Sequence, residues 1–112
     1  MTADYQRECV NMIFAALNEA AERGELLIVE GGLCRFHVRR DGTLVIREVI
    51  VLPGARRRGI GSKLVHRACI THRGLVIAKC PVKYESNRFW QEIGFQLVGE
   101  GKGINEWRLD LT

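Results

Sequence analysis

The sequence predicts an α+β (α/β) fold, a mixed, mostly antiparallel sheet with helices on both faces. Two glycine-containing dipeptides, Gly31-Gly32 and Asp41-Gly42, join three segments of strand character, and such dipeptides are typical of tight hairpins. A helical segment then separates the third strand from an apolar strand at Leu75 to Ala78, which implies a parallel crossover. We expect one domain, 1–112, with an N-terminal helix (1–25) and a sheet region (26–112).

The N-terminal helix is predicted from apolar residues at helical spacing, which give it one buried face, and Gly24 is placed to end it. The apolar residues of this face are Tyr5, Cys9, Met12, Ile13, Ala16, Leu17 and Ala20. Three strands follow at Leu26 to Glu30, Leu33 to Arg39 and Thr43 to Leu52, and Pro53 stops the third.

A second helix is predicted from the apolar stripe of Ile60, Leu64, Val65, Ala68 and Cys69, which leaves His66 facing solvent. After the strand at Leu75 to Ala78, Ser86 can cap a short helix that Gly94 ends. The last two strands, Phe95 to Val98 and Ile104 to Leu111, flank a loop from Gly99 to Gly103.

The composition is ordinary for a globular protein, with 46% hydrophobic and 27% charged residues. A formal charge of +4 favours anionic partners. No signal peptide or membrane-length apolar span is visible, so we expect a cytoplasmic protein without a membrane partner. Four cysteines lie far apart in the sequence, which favours reduced thiols over disulfides. The His and Cys spacing predicts no metal site.

The segment Arg56 to Gly61, Arg-Arg-Arg-Gly-Ile-Gly, follows an apolar strand and opens a helix. Glycines let a ligand approach the backbone closely, and the free N–H groups and dipole of a helix N-terminus attract negative charge. A phosphate-bearing ligand is the natural occupant of such a site. An ordinary basic surface turn is the alternative, because two glycines beside arginines are a weak signal on their own.

Two segments of the chain resemble the signature segments of the GNAT superfamily of N-acetyltransferases. They are Val51-Leu52-Pro53 followed by Arg56-x-x-Gly59-x-Gly61, and the run from Asn87 to Phe95, Asn-Arg-Phe-Trp-Gln-Glu-Ile-Gly-Phe. The resemblance extends from Leu26 to Leu111, and it implies that the usual first strand and one of two early helices are missing.

The resemblance implies acetyl-CoA as cofactor, held where a central parallel pair of strands splays apart. The pantetheine arm would pair with the strand that ends at Leu52, and backbone amides from Arg57 to Ser62 would hold the pyrophosphate. The expected cofactor-binding residues are Val49, Val51, Arg56, Arg57, Arg58, Gly59, Ile60, Gly61, Ser62 and Asn87. For Asn87 the alternative is an ordinary polar residue in the first turn of a helix.

Acetyl transfer to an amine requires a proton acceptor, and Glu48 is the candidate base. Strand alternation puts it on the side of Leu44, Ile46 and Ile50, where partial desolvation would favour proton uptake. An ion pair with an arginine on a neighbouring strand is the alternative. The family often has a tyrosine as general acid where this sequence has Trp90. Indole cannot serve as that acid, so Tyr84 is the candidate, with surface packing as its alternative.

We therefore expect an acyl-CoA-dependent N-acetyltransferase that acts on a primary amine by direct transfer in a ternary complex. A catalytically degenerate, CoA-binding regulatory protein is one alternative. A small basic nucleic-acid-binding module is another, although the basic cluster lacks the exposed aromatic residues of a single-strand platform. The predicted partners are acetyl-CoA and an amine acceptor; nucleic acid is disfavoured, and a homodimer is compatible with the prediction.

Overall fold

The computed structural model describes residues 3–112, and it describes side chains from residue 7 onward. Three helices, α1 (Ala3–Glu22), α2 (Ile60–Cys69) and α3 (Ser86–Glu92), accompany six strands. The strands are β1 (Leu26–Val29), β2 (Gly32–Val38), β3 (Leu44–Val51), β4 (Leu75–Pro81), β5 (Gln96–Gly101) and β6 (Ile104–Asp110). A short 3-10 turn at Pro53–Ala55 follows β3.

The sheet has the order β1-β2-β3-β4-β6-β5, and only the pair of β3 with β4 is parallel. The predicted hairpins are confirmed, because β1, β2 and β3 are antiparallel neighbours. The turn between β2 and β3 is closed by Asp41, whose carboxylate accepts a hydrogen bond from the Thr43 amide at 2.9 Å. The crossover through α2 is confirmed as well, since it connects the parallel pair.

The core lies between the sheet and the helices α2 and α3. Leu64 of α2 is fully buried against Cys34 of β2 and Leu44 of β3. Trp90 of α3 extends the same cluster, and Phe95 and Trp107 complete it at the β5 and β6 side. Burial raises the pKa of the Cys34 thiol to about 12, so this cysteine stays protonated and acts as an apolar packing residue.

Helix α1 packs on the other face of the sheet, and only its C-terminal end is buried. Ala20 is buried, but Met12 and Ile13 are 72% and 61% exposed. The prediction of a continuous buried face is therefore wrong for this helix, whose main contacts with the sheet are to β1 and β2. The predicted contribution of Tyr5 lies outside the described side chains.

Three further boundaries differ from the predictions. Ser86 is the first residue of α3 and does not cap it; its hydroxyl oxygen lies 3.1 Å from the Cys80 sulfur. Strand β4 continues beyond Ala78 to Pro81 because β6 supplies backbone partners as far as Ile104. Strand β5 extends through the predicted glycine loop to Gly101, leaving a tight turn before β6.

None of the helices within residues 3–112 combines the length and apolar character needed to cross a bilayer.

Candidate functional site

The central feature of the site is the gap that opens between β3 and β4. The two strands pair only from Leu44 with Val76 to Ile46 with Ala78. Beyond that point β3 stays paired with β2, and β4 stays paired with β6. The edge of β3 from residue 47 to 51 that faces β4 therefore has no ladder partner in the described sheet, and its backbone groups can meet an extended polar ligand.

Helix α2 begins just beyond the end of β3. Gly59 is its N-cap in the left-handed conformation (φ 74°), and the first helical hydrogen bond runs from the Lys63 amide to the Gly59 carbonyl at 3.0 Å. The amides of the first turn thus point out of the helix without partners inside it. The first turn contains no acidic residue, so the helix dipole is uncompensated at this end.

The two glycines of the motif have different roles. A Cβ at Gly59 would meet no atom within 4 Å, which leaves open space beside the helix N-terminus. A Cβ at Gly61 would lie 3.0 Å from the Phe89 ring, so Gly61 lets α3 pack closely against α2. Gly59 is therefore the glycine beside which a ligand has room, and Gly61 joins the two helices.

The arginines of the motif are exposed and lie just before α2. Arg57 has a positive φ of 66°, which is uncommon for a residue with a side chain. The Arg56 guanidinium turns back to donate to the Val51 carbonyl at 3.3 Å. Together with Arg58 these groups surround the start of α2 with positive charge, which suits an anionic ligand.

Strand β3 contains a bulge that changes the setting of Glu48. Arg35 pairs with Glu48 but the next residue, Phe36, pairs with Ile46, so Arg47 is the extra residue. The bulge moves Glu48 away from the face of Leu44 and Ile46, and Val49 packs on the core in its place. The prediction that Glu48 shares their apolar side is wrong. Its carboxylate instead contacts the Arg35 guanidinium at 2.8 Å, which confirms the alternative of an arginine partner.

Asn87 lies in the first turn of α3, and its side-chain amide is fully engaged with the protein. Its Nδ2 donates to the carbonyls of Pro81 and Tyr84, both at 2.8 Å. Its Oδ1 accepts from Trp107 Nε1 at 2.9 Å and from Asn105 Nδ2 at 3.0 Å. Asn87 thus holds the segment after β4 against β6. Direct contact with a ligand stays a prediction, and these bonds show a positioning role that the sequence did not reveal.

The two aromatic candidates lie in different environments. Tyr84 follows β4 and is 54% exposed. Trp90 is 7% exposed and makes edge-to-face contacts with Phe89 and Phe95, with ring centroids 5.0 Å apart in both pairs. Trp90 is accordingly a core residue of α3. The catalytic role of Tyr84 stays a prediction.

The family described as "Acetyltransferase (GNAT) domain" matches residues 11–97 of the chain. A search of curated protein sequences gives no match.

Solved structures with the same fold support this match. A candidate acetyltransferase from Exiguobacterium sp. 255-15 is 25% identical, with a TM-score of 0.61, over 88% of this chain and 74% of that protein. A candidate acetyltransferase from Salmonella typhimurium with its cofactor acetyl-CoA is 22% identical, with a TM-score of 0.59, over 73% and 58% of the two chains. Arabidopsis thaliana Naa50, in complex with the bisubstrate analogue CoA-Ac-MVNAL, is 19% identical, with a TM-score of 0.58, over 71% and 65%. The chain spans less than two thirds of the length of the latter two proteins.

The hydrogen bonds of Asn87 predict a stability effect. We expect Asn87→Ala to lower the free energy of unfolding by about 2 kcal/mol or more, because the buried Trp107 N–H loses its acceptor and the Pro81 and Tyr84 carbonyls each lose one of their donors. Urea unfolding followed by Trp fluorescence measures this change, and Asn18→Ala on the exposed side of α1 is the matched control. Equal stability of the two variants would show that water replaces the amide of Asn87 without cost.

Proposed function

Because this chain belongs to the GNAT acetyltransferase family, we propose that it transfers the acetyl group of acetyl-CoA to a primary amine by direct transfer in a ternary complex. The observation that carries the proposal is the gap between β3 and β4, which leads to the N-terminus of α2. An unpaired strand edge suits the amides of pantetheine, and a helix N-terminus suits the pyrophosphate. Both are present, in the order that one extended cofactor needs.

The direction of the cofactor follows from this order. The pyrophosphate would lie beside Gly59, past the end of β3, so the pantetheine arm would run back along Val51 and Val49 toward Ile46. The strands meet again at Ile46 and Ala78, which closes the gap. The acetyl group would therefore arrive near Arg47 and Glu48, the first residues of β3 beyond the parallel pairing.

The transfer itself needs two proton movements. The neutral amine nitrogen attacks the thioester carbonyl carbon; a C–N bond forms and the C–S bond breaks. The proton that leaves the nitrogen passes to the Glu48 carboxylate or through it to water, and the departing thiolate takes a proton from the Tyr84 hydroxyl or from solvent. Arg35 keeps the Glu48 carboxylate oriented, because the two side chains are in contact at 2.8 Å.

A covalent route through Cys80 is less suitable. Its thiol is buried, and its sulfur lies 3.1 Å from the hydroxyl oxygen of Ser86. An attacking thiol must reach the carbonyl carbon as a thiolate, and this position offers neither access nor a basic partner.

A CoA-binding protein without turnover is the second candidate. It is favoured by Trp90, which fills the position of the usual acid and packs in the core. Both candidates require cofactor binding, and only the enzyme releases free CoA in the presence of an amine. A thiol assay over a panel of amines separates them.

The phosphate site is tested at Gly59. Acetyl-CoA at about a hundred times its dissociation constant should stabilise the wild-type fold by about 2.7 kcal/mol. Gly59→Asp should abolish this effect, because its carboxylate would enter the open space beside the first turn of α2. The fold should survive, since aspartate tolerates a left-handed backbone better than most residues.

Gly42→Asp is the matched control for this experiment. Gly42 also has a positive φ and open space around it, but it lies in the turn between β2 and β3. We expect calorimetry to show wild-type affinity for acetyl-CoA in Gly42→Asp and none in Gly59→Asp. Equal affinity in both variants would place the pyrophosphate elsewhere.

Glu48 is tested by Glu48→Gln, which keeps the shape of the side chain and removes its charge. If Glu48 takes the proton, turnover should fall by roughly a hundredfold while acetyl-CoA affinity stays nearly unchanged. A purely structural ion pair with Arg35 gives a different result, namely a lower Tm and normal activity per folded molecule. Turnover, calorimetry and thermal unfolding of the one variant therefore decide between the two roles.

Tyr84→Phe tests the protonation of the thiolate. We expect the chemical step to slow without loss of acetyl-CoA affinity, and the alkaline limb of the rate profile to shift, because the hydroxyl proton is removed. Trp90→Tyr is the companion variant, in which the fold should persist and turnover should be unchanged or higher. Unchanged kinetics in Tyr84→Phe would assign the proton to solvent.

A further inference from the structure

A second concave site lies between α1 and the sheet face opposite α2. It is a cavity of about 340 Å³, within the range of small-molecule sites. Its charged lining consists of Glu19, Arg23, Glu25, Arg35, His37 and Arg47. The cavity is separate from the N-terminus of α2, because Arg35 and His37 alternate along β2 with Cys34, which faces the α2 side.

Ion pairs account for only part of this charge. The Arg35 guanidinium contacts Glu48 at 2.8 Å, and His37 Nδ1 contacts Glu25 at 2.6 Å. Within the described side chains, Arg23 and Arg47 have no carboxylate partner within ion-pair distance, and neither has Glu19. The guanidinium groups of Arg23 and Arg47 thus remain available to bind an anionic group, beside the carboxylate of Glu19.

The bulge in β3 explains why Arg47 and Glu48 lie on the same face of the sheet. Alternation from Ile46, which is in the core, already places Arg47 on the α1 side, and the extra residue at the bulge keeps Glu48 on that side as well. Bulges of this kind re-aim a side chain, and they are common beside active sites. Here the bulge lies immediately after the last parallel pair of β3 with β4.

The cavity therefore adjoins the closed end of the gap between the strands. Arg47 and Glu48 are the first β3 residues beyond the parallel pairing, and Arg35 both lines the cavity and contacts Glu48. If the acetyl group arrives at this end of the gap, an acceptor seated in the cavity would present its nitrogen beside Glu48.

We propose that this cavity binds an anionic group of the acceptor, so that the substrate is a small amine that also bears a carboxylate or a phosphate. Arg23 and Arg47 bind the anion, since guanidinium groups match both carboxylate and phosphate with paired hydrogen bonds. The inference rests on the proposed acetyl transfer and specifies its acceptor.

The test compares paired amines, one with and one without an anionic group, with CoA release as the readout. Alanine is compared with alaninamide, and 2-aminoethyl phosphate with ethanolamine; the two pairs distinguish a carboxylate from a phosphate. We expect the wild type to prefer the anionic member of at least one pair. Arg47→Gln and Arg23→Gln should each reduce kcat/KM for that member by roughly tenfold to a hundredfold, mainly through KM.

Controls separate recognition from stability. The neutral member of the pair should lose much less kcat/KM in the variants than the anionic member, and comparing the anionic-to-neutral ratio of each variant with that of the wild type cancels the different basicity of the two amines. Arg47→Lys should recover part of the preference because it keeps the charge. Arg40→Gln, in the exposed turn between β2 and β3, should behave as wild type.

Two results would overturn the inference. The first is binding of acetyl-CoA together with no preference for an anionic amine in either pair. The second is a preference that survives both Arg23→Gln and Arg47→Gln, whether or not the Tm falls, which would show that these arginines do not bind the anionic group. Failure to bind acetyl-CoA at all is a distinct outcome, which would remove the proposed function and the inference with it.

Discussion

The parting of β3 from β4 is the constraint on which the rest of the structure depends. It divides the sheet into two antiparallel halves, β1-β2-β3 and β4-β6-β5, joined by a short parallel stretch that ends at Ile46 and Ala78. A sheet joined by so short a parallel pairing could bend between its two halves. The helices oppose this bending, because α2 packs on the first half, α3 contacts the second, and Gly61 brings the Phe89 ring against α2. The gap is thus held open by helix packing on one face.

The bulge at Arg47 has a similar importance for the opposite face. Without the extra residue, Glu48 would point into the core beside Ile46, where an unpaired carboxylate would cost several kcal/mol. With it, Val49 fills that place and Glu48 contacts Arg35 on the α1 side. One inserted residue therefore allows the apolar core to continue on one face of the sheet, while charged side chains lie on the other. These side chains are at the closed end of the gap, where the acetyl group would arrive.

The sequence predicts the fold well wherever local patterns decide it. Short-range turn chemistry and periodicity predict the two hairpins, the crossover through α2 and the exposed position of His66. The bulge is not visible in this way, because the apolar run around it alternates acceptably in either register and only the pairing with β2 reveals the extra residue. The exposure of Met12 and Ile13 is a related case, since helical spacing shows which residues share a face but not whether any strand lies beneath them.

Asn87 shows how the structure can give a motif residue a role that its place in the sequence does not reveal. Its place beside the cofactor groove depends on the resemblance, whereas its hydrogen bonds depend on residues 18 and 20 positions away along the chain. By joining Asn105 and Trp107 of β6 to the carbonyls of Pro81, at the end of β4, and Tyr84, it fixes the end of the second half of the sheet. That end is one wall of the gap. A side chain with both donor and acceptor groups is needed there, since an aspartate would set a carboxylate against two carbonyl oxygens and a leucine would leave the indole N–H of Trp107 unpaired. The asparagine therefore fixes the shape of this wall of the gap through bonds within the protein alone.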